Sequence, residues 1–146
     1  MITEFLGWVE QTSLSTAIRQ SDWAVMALEA VHLLGLAALG GAALIVALAA
    51  VRRSGLRGIT SETLVRDLRL LALTGLALLA VSGTLIALSM PFKYYNNIAF
   101  EWKMVLLAAS LFVSAFLVRQ PSRALAILSL ILWTGVGFSG RLVGFL

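Results

Sequence analysis

The chain has 146 residues, of which 60% are hydrophobic and only 12% charged, with a formal net charge of +4. A soluble domain keeps about 25% charged residues to cover its surface, so these proportions exclude an ordinary water-soluble fold and read as a single integral membrane domain over residues 1–146. There are no cysteines, which excludes disulfides, iron–sulfur ligation and covalently attached c-type haem. The isoelectric point near 10.4 does not point to nucleic acid, because the basic residues cluster between apolar runs and not on an accessible polar face.

The first 21 residues, "MITEFLGWVEQTSLSTAIRQS", carry acids at Glu4 and Glu10, no basic start and no long apolar core, unlike a secretory signal. Ile2, Phe5, Leu6 and Val9 fall on one side at helical spacing, which predicts an amphipathic helix lying in the membrane interface. Four runs then reach the roughly 20 apolar residues that cross a bilayer as a helix. They are 23–51, 68–90, 98–118 and 124–145. Pro91 stops the second, because it cannot continue a helical ladder, and Pro121 with Ser122 turns the chain between the third and fourth.

Arg52, Arg53, Arg57, Arg66 and Arg69 lie between the first two runs or at the start of the second, and Arg119 and Arg123 flank the turn at 121–122. Basic residues accumulate on the cytoplasmic side of a membrane. Both termini and the 91–97 loop then face the periplasm of a bacterial inner membrane. Trp8, Trp23, Phe92, Tyr94, Tyr95, Phe100 and Trp102 all fall at that outer interface, where amphipathic rings settle. Short loops make sequential helices antiparallel neighbours. The expected fold is an all-α, integral membrane, up-down four-helix bundle with an N-terminal amphipathic interfacial helix. Gly40, Gly41 and Gly75 are expected to serve helix packing, since small residues let helices approach where lipid and protein are equally apolar.

The first span, "ALEAVHLLGLAALGGAALIVALAA" at 27–50, contains Glu29 and the chain's single histidine, His32. At ~1.5 Å per residue His32 lies about 13 Å along the helix from Trp23, well inside hydrocarbon, and residues i and i+3 share a face. An ionisable residue at such depth costs about 2.5–3.5 kcal/mol and marks a functional site by default. The plainer reading is an imidazole satisfied by a neighbouring serine or threonine hydroxyl. Glu101, Lys103, Ser82, Thr84, Ser139, Arg141 and the loop residues Lys93–Asn97 share this outer half, whereas the inner half holds only boundary arginines. Lys103 and Arg141 are also close enough to helix ends to snorkel.

A submerged imidazole one turn from Gly35 suits a flat macrocycle, the glycine leaving room for a ring face; Gly83, Gly135, Gly137 and Gly140 offer similar room. Haem b takes its iron ligand from such a histidine. The candidate cofactor site is therefore His32 as metal ligand, Glu29 on its other ring nitrogen, Gly35 for space, and Lys103, Arg141 and Lys93 for the propionates. A copper-handling role for His32 with Met26, Met90 and Met104 is the alternative, these being soft donors. A third reading is a non-catalytic membrane subunit that assembles with itself or a membrane protein partner through the Gly140/Gly144 pair.

Three stretches carry a resemblance: Trp23 with "HLLGLAALGGA" in the first span, "EWKMVLLAA" in the third, and Trp133 with "GRLVGF" in the fourth. Together they resemble a family of uncharacterised bacterial four-helix membrane proteins with a Glu-x-x-His motif in the first helix. More distantly, the outline is similar to the HemJ-type protoporphyrinogen oxidases and to the membrane domain of copper resistance protein D. The HemJ resemblance implies a haem b ligand at His32 and a functional lysine at Lys103. The chain departs from that pattern in lacking a second histidine and in the residues around the lysine, and protoporphyrinogen oxidation is set aside.

Overall fold

A computed structural model describes residues 1–52, 56 and 58–143, the last three of these by backbone alone. Seven helices follow one another among the described residues, and five of them start at a side chain that accepts from a free backbone N–H group. Thr12 accepts from the Ser15 amide at 3.3 Å and opens α2 (Ser13–Arg19), so the N-terminal segment is two helices, α1 (Ile2–Glu10) and α2, and not one. Ser21 accepts from Ala24 and opens α3 (Asp22–Val51). Thr60 caps α4 (Ser61–Ser89), which begins seven residues before the apolar run does, because its first two turns are charged. Pro91 ends that run as expected but also starts α5 (Pro91–Tyr95), a short helix where a loop was expected; a proline at the first helical position loses no hydrogen bond. Asn97 caps α6 (Ile98–Arg119) through the Phe100 amide at 3.1 Å, and Ser122 caps α7 (Arg123–Val143) through that of Leu125 at 3.2 Å.

Helices α3, α4, α6 and α7 are each long and apolar enough to cross a membrane, and the described residues form no strand. Their outer faces are as apolar as their inner ones: Leu70 is 74% and Phe138 72% exposed. Water does not tolerate such a belt, and hydrocarbon does. The chain is accordingly a multi-pass membrane protein. Hydroxyls within the helices fold back on their own backbone, as Thr74 does to the Leu70 carbonyl and Ser110 to that of Leu106. Among the described residues no buried side-chain nitrogen or oxygen lacks a partner.

The closest approach in the bundle is between α3 and α4. A Cβ added to Gly75 would stand 2.6 Å from the Leu39 amide nitrogen, and one added to Gly35 2.9 Å from that of Leu79. The contacting positions rise along α3 as they fall along α4: Leu39 meets Gly75, Gly35 meets Leu79, and His32 meets Gly83. Gly40 seats the Trp133 ring of α7, but Gly41, expected to pack, has nothing within 4 Å of where its Cβ would be. Leu39, Leu79, Trp133 and Val136 form the central core. Helix α3 also packs on α7, and α6 on α7, whereas α4 makes no substantial contact with α6. Helix α2 rests on α3 and α4, and α1 on α5.

Candidate functional site

The glycine contact between α3 and α4 has a consequence one turn further along each helix. It brings Ser82 and Gly83 of α4 against His32 of α3. A side chain at residue 83 would come within 3.0 Å of the imidazole Cε1, so glycine there is what lets the ring lie against α4. Gly83, expected to leave room for a macrocycle, instead makes room for the imidazole itself. Gly35 corrects its expectation: it is buried against the α4 backbone and does not face open space.

The ring is half-buried and turned into the bundle. Its Nδ1 lies 3.1 Å from Ser82 Oγ, and the Ser82 hydroxyl donates its single proton to the Leu78 carbonyl at 2.5 Å. A hydroxyl has one proton and two lone pairs. With the proton committed, Ser82 can only accept, and so Nδ1 is the nitrogen that carries hydrogen. That leaves the lone pair on Nε2, where it accepts a long hydrogen bond of 3.4 Å from Lys103 Nζ of α6. Three helices thus fix one imidazole in one tautomer.

Beside this group is a cavity of about 370 Å³ between α3, α4, α6 and α7, roofed by α5. Leu36 and Ile86 give it apolar walls, and Gly137 and Gly140 line it from α7; open space stands beside Gly137, while the Lys103 side chain lies over Gly140, 3.8 Å from where a Cβ would be. Glu29, Lys93 and Tyr94 stand with Lys103 around it. The Tyr94 ring lies against Phe100, with centroids 5.1 Å apart. Burial, and secondarily the Glu29 carboxylate, push the Tyr94 phenol above its ordinary pKa, so it stays a neutral hydroxyl at physiological pH.

Of the residues the sequence nominated, His32, Glu29 and Lys103 converge on this cavity, with Lys93 beside them. Glu29 does not bond the imidazole as expected, because Ser82 and Lys103 occupy the two ring nitrogens. The Arg141 side chain and Gly144 lie outside the described residues. Met26, Met90 and Met104, the soft donors of the copper reading, do not line the cavity. Among the described residues no three histidine, cysteine or acidic side chains group together as a bare metal ion would need. The sequence marked Ser82 only as a polar residue in the outer half of its span; its pairing with His32 spans 50 positions and has no local signature.

Compared with protein-family models, with curated proteins and with solved structures, the chain has no match in any of the three.

Proposed function

We propose that this membrane protein holds a b-type haem on His32 and works in electron transfer or in tetrapyrrole or quinone redox chemistry. In this reading it is an up-down four-helix bundle of the bacterial inner membrane, with its arginine-rich end in the cytoplasm. Both termini and α5 are then periplasmic, and α1 and α2 lie in the outer interface. Ile2, Phe5 and Trp8 of α1 are all exposed and all apolar, which suits a helix half-sunk in headgroups.

One observation carries the haem assignment: Ser82 holds the imidazole in the tautomer whose Nε2 has the lone pair, at the edge of a cavity large enough for a ligand. Metal-bound histidines characteristically donate their other ring N–H to a fixed acceptor, which sets the ring orientation. A cavity of about 370 Å³ falls within the usual range of roughly 300–1,000 Å³ for ligand pockets. A single histidine holds a bare ion poorly, but a macrocycle brings the remaining ligands itself. The donor set therefore fits haem better than copper.

His32 would hold the iron through Nε2, and Lys103 would supply a cation for a propionate. Lys93 is the second cation lining the cavity, and Glu29 is the carboxylate lining it with the two lysines. Gly137 leaves open space on the α7 wall of the cavity. A haem so held supplies one-electron chemistry at a potential set by its axial ligand and surroundings. The protein's own contribution is to orient the imidazole and exclude water.

Detergent-purified protein from haem-replete cells should show a Soret band. The Ser82→Ala variant should keep the band but bind haem about 10- to 100-fold more weakly, the usual cost of removing a group that orients a metal-bound histidine. Titration with hemin measures this. A colourless parent protein that also fails to take up hemin refutes the assignment.

A further inference from the structure

A second cavity lies nearer the arginine-rich ends of the helices. It has a volume of about 350 Å³ and occupies the gap between α4 and α6, the two helices that scarcely touch. Ala43 and Val46 of α3 form its floor, Ala72 of α4 and Ala115 of α6 its walls, and the Trp133 ring closes its deep end. The single charged group that lines it is Arg69, at its mouth. A smaller pocket of about 130 Å³ shares Val46, Val65, Leu117 and Val118 with it and adds Ser61 and Glu62.

An unfilled apolar cleft forfeits dispersion contacts along its whole lining, and the gap between α4 and α6 opens it to the bilayer. The chemistry at its mouth is specific. Arg69 has no ion-pair partner among the described residues, whereas its neighbour Arg66 is paired with Asp67 at 3.4 Å. Basic pockets between membrane helices on the cytoplasmic side bind anionic lipid headgroups. Ser61 and Glu62 supply hydrogen-bond acceptors just beyond, which suits a headgroup bearing hydroxyls and would oppose a bare second phosphate. We propose that this cleft is a binding site for an anionic phospholipid with a polyol headgroup. One acyl chain lies between α4 and α6 against Trp133, the phosphate sits on Arg69, and the headgroup hydroxyls reach Ser61 and Glu62. The site is separate from the His32 cavity and does not depend on any cofactor there.

The test is native mass spectrometry of the full chain, released from micelles containing equal amounts of phosphatidylglycerol and phosphatidylcholine. The parent protein should retain one phosphatidylglycerol in preference to phosphatidylcholine. Arg69→Gln should reduce that preference about fivefold, the worth of one basic residue near an anionic lipid surface. Ala115→Trp fills the cleft from an exposed position on α6, and should reduce retention of both lipids while gel filtration and circular dichroism stay those of the parent. Equal retention of the two lipids by the parent overturns the proposal. So does an Arg69→Gln protein that prefers phosphatidylglycerol as strongly as the parent. A lipid-free dimer, the cleft then being filled by a helix of a second copy, also overturns it.

Discussion

Replacing His32 by alanine should yield a folded protein that has lost its Soret band. The fold should survive because the Ser82 proton already belongs to the Leu78 carbonyl, and the Lys103 ammonium, which loses its imidazole acceptor, lines a cavity where it can be hydrated. The loss to stability is about 1–3 kcal/mol, the net worth of the imidazole's two hydrogen bonds to Ser82 and Lys103. Lys103→Met distinguishes the two nitrogens that meet at 3.4 Å, the Lys103 amine that donates and the His32 Nε2 that accepts. It removes the amine and leaves Nε2 in place, so the band should persist, with weaker retention as a propionate loses its cation. Absorption spectra of the three proteins, purified in parallel, decide the matter. A His32→Ala spectrum indistinguishable from the parent's would falsify the role of His32 as iron ligand, and loss of the band in Lys103→Met alone would move that role to the lysine.

The second large effect belongs to the α3–α4 contact. Gly75→Val should strongly destabilise the protein, at or beyond the upper end of the roughly 1–3 kcal/mol that overpacking costs. The reason is what the new atoms would meet. A Cβ at residue 75 would stand 2.6 Å from the Leu39 nitrogen and 2.9 Å from the Gly35 oxygen. Both are backbone and neither can rotate aside, so the two helices must separate. The control is Gly41→Ala on the same helix pair. Nothing lies within 4 Å of that position, and alanine is the better helix former by about 1 kcal/mol, so stability should hold or rise. Loss of helicity on titration with sodium dodecyl sulfate measures both. Equal unfolding midpoints for Gly75→Val and Gly41→Ala would show that the contact is looser than its geometry.

The separation also bears on the site. Gly35 meets Leu79 one turn from where His32 meets Ser82 and Gly83, so the glycines set the spacing at which Ser82 Oγ reaches Nδ1. Nothing in the sequence reveals that coupling. The four spans are legible because each is a long, predominantly apolar run closed by charge or proline, and α6 departs from its expected bounds only at Arg119. Helix α4 is longer than its hydrophobic run, since hydropathy sees only the buried length of a helix and not the charged turns that Thr60 caps. Glycine roles were the least legible. Gly35, Gly41 and Gly83 look alike in sequence, yet one meets backbone, one meets nothing and one meets a side chain. The difference is the rotation of α3 about its axis, which all-round apolarity leaves unspecified. His32 stood out because an imidazole in hydrocarbon needs partners, and that need is visible without knowing who they are.

The weak contact between α4 and α6 divides the molecule into two leaves, α3 with α4 and α6 with α7, bound along a spine where α3 meets α7. Ser82 and His32 belong to one leaf, and Lys103, Phe100 and the glycines of α7 to the other. Spreading the leaves would lengthen the bond between Lys103 and Nε2 while the imidazole stays anchored to Ser82. A guest could then enter sideways from the bilayer, meeting a ligand whose aim had not changed.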